Sequence, residues 1–83
     1  MIDKIKKLDP TILVADGFDD CIIGLTFRDD ELVALYSAEC IIAKLSEDMT
    51  EDEAIEFFDY NIAGAYMGVK TPKYIWGDYD ALD

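Results

Sequence analysis

The pattern of this 83-residue chain predicts a small single α+β domain, a β-hairpin and a third short strand packed against two helices. Three observations carry that fold class. Residues 21–27 and 32–36 are short alternating or β-branched runs split by a polar break. Residues 38–45 and 51–67 repeat apolar side chains at helical spacing. Residues 73–76 add a last extended run behind Pro72, where helix is disfavoured. The predicted order is short helix, β, β, α, α, β, with the helices on one sheet face. Residues 1–76 form the domain, and the acidic tail 77–83 is expected to be disordered.

Residues 1–8 alternate lysine with apolar residues and read as a helical or extended arm. Asp9-Pro10 is a helix start, with Asp as N-cap and Pro in the first helical position. Gly17 suits a left-handed stop, so a short helix is expected over 10–16. In the first strand Cys21, Ile23, Leu25 and Phe27 share one face, with Ile22, Gly24 and Thr26 on the other. Arg28-Asp29-Asp30-Glu31 has hairpin-loop length, and Leu32 to Tyr36 is the return strand.

Ser37 caps the next segment, where Ala38, Ile41, Ile42 and Leu45 recur at helical spacing. Thr50-Glu51-Asp52-Glu53 is a capping box whose acids also suit the helix dipole. The helix behind it is expected to run from Glu51 to about Met67, ending at Gly68. Its core stripe is Ala54, Ile55, Phe58, Ile62, Ala65 and Tyr66. Asn61 lies at the edge of that stripe, where its amide is expected to bond a loop backbone.

The chain carries 19 Asp and Glu against seven Lys and Arg, a formal charge of −12, and no histidine. All but four of the acids fall within residues 8–69, where Arg28 and Lys44 are the only cations. Such a chain repels nucleic acid and anionic membrane and attracts basic protein surfaces. Its 52% hydrophobic content argues for a core rather than an acidic disordered segment. No apolar run approaches membrane-spanning length, and the start carries no signal-peptide h-region. A cytosolic location is expected.

Cys21 and Cys40 each precede two isoleucines and read as buried structural thiols, with a disulfide between them as the alternative. They offer no zinc spacing. Asp16-Gly17-Phe18-Asp19-Asp20 lacks the ligand order of an EF-hand loop and reads as structural. Catalysis finds no histidine, no nucleophile elbow and no phosphate-cradling glycine loop. No enzyme activity, metal or cofactor is expected.

Asp52, Glu56 and Asp59 form an acidic row at i, i+4 and i+7 with no matching lysine. Three readings compete for it: a solubilising face, a docking face for a basic protein surface, and a divalent-metal site as in a carboxylate-metal enzyme. The turn acids Asp29, Asp30 and Glu31 extend the candidate partner face. Tyr60, Gly64 and Met67 lie off the core stripe and, with Tyr74 and Trp76, make a candidate homo-oligomer surface.

Two stretches, Asp16-Gly17-Phe18-Asp19-Asp20-Cys21-Ile22-Ile23-Gly24 and Glu56 to Gly68 with its Asn61-Ile62-Ala63-Gly64-Ala65-Tyr66, stand out together. With Met49-Thr50-Glu51-Asp52-Glu53-Ala54 and Thr71-Pro72, they resemble a family of small, mostly uncharacterised proteins of tailed bacteriophages and prophages. The resemblance spans roughly residues 14–76 and departs at Arg28–Glu31 and at the aromatic, acidic end. It implies a viral accessory protein acting on host machinery in the cytoplasm of an infected bacterium, and it supplies no catalytic residues. Binding to a basic protein surface, with DNA mimicry as its most specific form, is the leading expectation. A structural homo-oligomer or virion-assembly factor is the alternative.

Overall fold

The computed structural model describes residues 2–15 and 17–77; Asp16 and residues 78–83, which make up most of the expected tail, lie outside the described residues. Helix α1 (Ile2–Leu8) leads through an irregular segment and a 3-10 turn (Asp19–Cys21) to strands β1 (Ile22–Arg28) and β2 (Glu31–Ser37). Helices α2 (Ala38–Leu45) and α3 (Glu51–Phe57) follow, α3 passing directly into a π-helical segment (Phe58–Ala63), and β3 (Lys73–Ile75) comes last. Strand β2 is central, antiparallel to β1 and parallel to β3. The α+β class, the hairpin, the third strand and the two helices between them are as the pattern predicts.

One cluster holds the core. Ile5 of α1, Ile12, Cys21, Ile22 of β1, Ala34 and Tyr36 of β2, Ala38, Ile41 and Ile42 of α2, and Ala54 of α3 meet Phe58 there. Alternate β2 residues thus face all three helices, as period-2 patterning requires. Strand β1 departs from simple alternation. Its register against β2 slips between Ile22 and Gly24, a β-bulge at Ile23. The bulge puts Ile22 on the same face as Leu25, and both pack on the core, whereas Phe27, two residues further on and next to the hairpin turn, is exposed.

The first helix is not where Asp9-Pro10 suggests. Residues 2–8 form it, burying Ile5, and residues 10–15 form none. Asp9 Oδ1 instead accepts from the Thr11 amide (2.9 Å) and hydroxyl (2.6 Å), a local turn that competes with helix. Beyond it, the Ala15 amide donates to the Tyr36 hydroxyl at 2.7 Å, which pins this segment to the central strand.

The cysteines also differ from the thiol reading: Cys21 and Cys40 form a disulfide with their Cα atoms 5.4 Å apart. Cys21 is buried as expected, with Ile22, Ile41 and Ile42 in the core, whereas Cys40 and Ile23 are only partly buried. The pairing has a nonlocal cause. The 3-10 turn before β1 and the first turn of α2, capped by Ser37 accepting from the Cys40 amide (3.2 Å), lie side by side across the hairpin.

The long helix expected from Glu51 to Met67 stops early. It widens at Phe58 and ends at Gly64. A π turn has more than 3.6 residues, so the 100° wheel loses register there. Ile62 stays partly buried, whereas Tyr66, expected in the core stripe, lies beyond the helix and is exposed. Gly68 (φ +105°) serves the next turn instead, where the buried Thr71 hydroxyl accepts from the Met67 amide (2.8 Å) and donates to the Gly68 carbonyl (2.7 Å). Among the described residues no helix is long and apolar enough to cross a membrane.

Candidate functional site

The acidic face begins at the N-terminus of α3. Thr50 Oγ1 accepts from the Glu53 amide (3.2 Å), and the Thr50 amide donates to Glu53 Oε1 (3.1 Å), completing the predicted capping box. The bond from the Thr50 amide, with the Thr50 hydroxyl adding to it, holds the Glu53 carboxyl below its usual range. Glu53 is therefore occupied by the cap. Asp52, Glu56 and Asp59 are not: all three are exposed, and none has a cation within ion-pair distance among the described residues.

Apolar surface accompanies these carboxylates. Phe57 is 42% and Tyr60 78% exposed. With Met49, Asn61, Glu53 and Glu56 they line a shallow groove of about 380 Å³. Phe57 is the contributor that the sequence reading passed over, although its place off the core stripe was the available signal. Asn61 is exposed and its amide makes no hydrogen bond among the described residues, contrary to the expected loop contact.

The hairpin acids divide. Asp29 (φ 49°) and Asp30 (φ 71°) both adopt left-handed backbone, the requirement of a two-residue I′ turn, which Asp tolerates better than most residues. Both are exposed. Glu31 turns inward to Lys70 at 3.1 Å, and Lys70 also meets Asp9 at 2.8 Å. Lys70 holds the Asp9 carboxyl far below the usual carboxylate range, with Thr11 adding to it, and Asp9 and then Glu31 raise the Lys70 ammonium. Glu31 is part of a staple between the loop after α1, the hairpin and the loop before β3, so its charge, unlike that of Asp29 and Asp30, is partly spent on Lys70.

The proposed oligomer surface also separates. Tyr60, Met67 (65%) and Trp76 (55%) are exposed, joined by Tyr66 (67%). Tyr74 is half-buried between Tyr36 and Phe58, with ring centroids at 5.7 and 5.3 Å, and burial pushes its phenol up. Gly64 has a local cause. A Cβ there would lie 2.7 Å from the Asp59 carbonyl oxygen, so the end of the π segment admits only glycine without a shift.

Arg28, placed by its sequence in the hairpin loop with no site role, is the last residue of β1. Its guanidinium donates to the Thr71 and Pro72 carbonyls and lies 5.8 Å from the Tyr66 ring centroid. Among the described residues no three acidic or cysteine side chains gather as a metal site would need. No family model, curated protein or solved structure matches the chain.

Proposed function

We propose that the chain is a non-catalytic binding protein that docks the face of Asp52, Glu56 and Asp59 on a basic protein surface. One observation carries this reading: three exposed, unneutralised carboxylates lie beside exposed Phe57 and Tyr60. Carboxylates steer and register a basic partner, while aromatic anchors supply the desolvated contact that holds it. Other acids are spent internally, Glu53 on the cap and Asp9, Asp20 and Glu31 on lysines. Asp29, Asp30, Glu47, Asp48 and Glu51 are also exposed without a cation partner among the described residues, so what distinguishes the row is its place beside Phe57 and Tyr60.

The most specific form of the reading is DNA mimicry, with carboxylates in place of phosphates on a nucleic-acid-binding protein. The phage-family resemblance supports a viral accessory role in the cytoplasm of an infected bacterium. The Cys21–Cys40 bridge attaches a condition, since cytosolic disulfides are usually reduced. Alkylation of unmodified thiols in intact cells would report which form is present.

Affinity capture at two salt concentrations tests the docking face. A partner bound at about 0.1 M salt should be lost at about 0.5 M, and lost at both by the variant D52N/E56Q/D59N. A partner kept by that variant and through high salt would overturn the proposal. A second reading, homo-oligomerisation through Tyr60, Met67 and Trp76, rests on their exposure. Sedimentation showing a strict monomer at micromolar concentration would remove it.

A further inference from the structure

The positive charges of this acidic chain are unevenly neutralised. Lys44 pairs with Asp20 at 3.0 Å, and Lys70 pairs with Asp9 and Glu31. Outside α1, the two remaining cations are Arg28 and Lys73, and neither has a carboxylate partner among the described residues. Both line one cleft of about 330 Å³, together with Tyr66, Tyr74, Trp76 and Asp59.

Arg28 is fixed in place but not discharged. Backbone carbonyls of Thr71 and Pro72 satisfy part of its donor set without supplying a negative charge, and the Tyr66 ring accompanies the guanidinium. Lys73 stands on the short strand β3, next to half-buried Tyr74. Trp76 is held edge-on to the buried Phe58 at 5.7 Å and still leaves more than half its surface free. The cleft therefore offers ring faces and two unneutralised cations, while Asp59 is an acceptor on the same lining.

We propose that this cleft binds a small planar aromatic molecule carrying one compact anionic group. Its ring would stack on Tyr66 or Trp76, its anion would meet Arg28 and Lys73, and a donor on the ring would reach Asp59. The volume lies at the lower end of small-ligand pockets, enough for a ring system and one anion. A polyanion is disfavoured by the −12 charge of the whole chain. This site is separate in chemistry from the docking row, although Asp59 touches both.

Trp76 is the only tryptophan, so its emission reads the cleft directly. The full chain is titrated with phenyl phosphate and adenosine monophosphate, and separately with inorganic phosphate and benzyl alcohol as the anion and the ring alone. At least one aryl anion should saturate at about 1 mM or below, while neither half-ligand saturates in that range. The tighter of the two identifies a nucleotide or a simple aryl anion as the source. Lys73→Gln removes the cation that the fold does not use; it should weaken binding about tenfold or more with an unchanged melting temperature. Absence of saturation by both aryl anions up to about 10 mM, or unchanged affinity in Lys73→Gln, would overturn the proposal. So would a variant with Asp78, Asp80 and Asp83 changed to Asn that binds more than about tenfold tighter, because the cations would then be serving those carboxylates.

Discussion

Gly64 gives opposite predictions in two helix geometries. In an exposed α-helix, Gly→Ala gains about 1 kcal/mol through propensity. At the end of the π segment the added methyl meets the Asp59 carbonyl at 2.7 Å. Gly64→Ala should therefore lower stability, by about 1–3 kcal/mol as for other overpacked sites, read from the urea midpoint; a rise would argue for a regular α-turn. Asp9 makes a second prediction at this scale. Its folded value is depressed below the ordinary 3.8, so its contribution is complete above that pH and drains away as pH falls through the lower folded value. Lys70 is raised, so its share is complete below 10.5 and is lost above it. Asp9→Asn should be less stable than the native chain at pH 7, with the gap narrowing well below pH 3.8. A gap independent of pH would remove the ion pair as the cause.

Among the elements, α3 was the most legible in advance because its start is written in four consecutive residues. Thr50 and Glu53 find each other whatever the rest of the chain does. The hairpin was legible for the same reason, its turn being local. Where the reading failed, distant partners decided. Asp9-Pro10 has the local form of a helix start, but one carboxylate oxygen of Asp9 closes a turn with Thr11 while the other binds Lys70, 61 residues away. The π widening was hidden because a wheel drawn at 100° per residue assumes what it tests. The acidic row keeps its exposure through that change, since Asp52 and Glu56 precede it, but Glu31 meets a lysine whose position no local pattern fixes. The disulfide was hidden in the same way: 19 residues of separation fix no geometry. Opening it should cost about 3 kcal/mol by the loop-closure argument, measured by urea unfolding with and without reductant. A Cys40→Ala variant should match the reduced chain, and a difference under about 0.5 kcal/mol between bridged and open forms would show that the core alone holds the two elements.

For the whole molecule, charge acts on folding and on binding in opposite senses. Self-repulsion among 19 acids opposes compaction, and salt relieves it. Raising monovalent salt from about 0.02 M to about 0.5 M should raise the melting temperature by about 4–8 °C, the equivalent of about 1 kcal/mol for a domain of this size. The same salt should release a partner from the acidic row. A melting point indifferent to salt would mean that internal ion pairs already offset the repulsion. The order of the sheet has its own consequence, which lies in synthesis. Strand β3 pairs parallel to β2 across 38 residues, Leu35 with Lys73, so both intervening helices must be made before that edge is covered. On a ribosome the hairpin is complete while one side of its second strand still has no neighbour, an opening for aggregation or for a chaperone. The three residues Lys73–Ile75 that close this edge also carry one wall of the cationic cleft. A nascent chain would acquire its finished sheet and its ligand cleft in the same step.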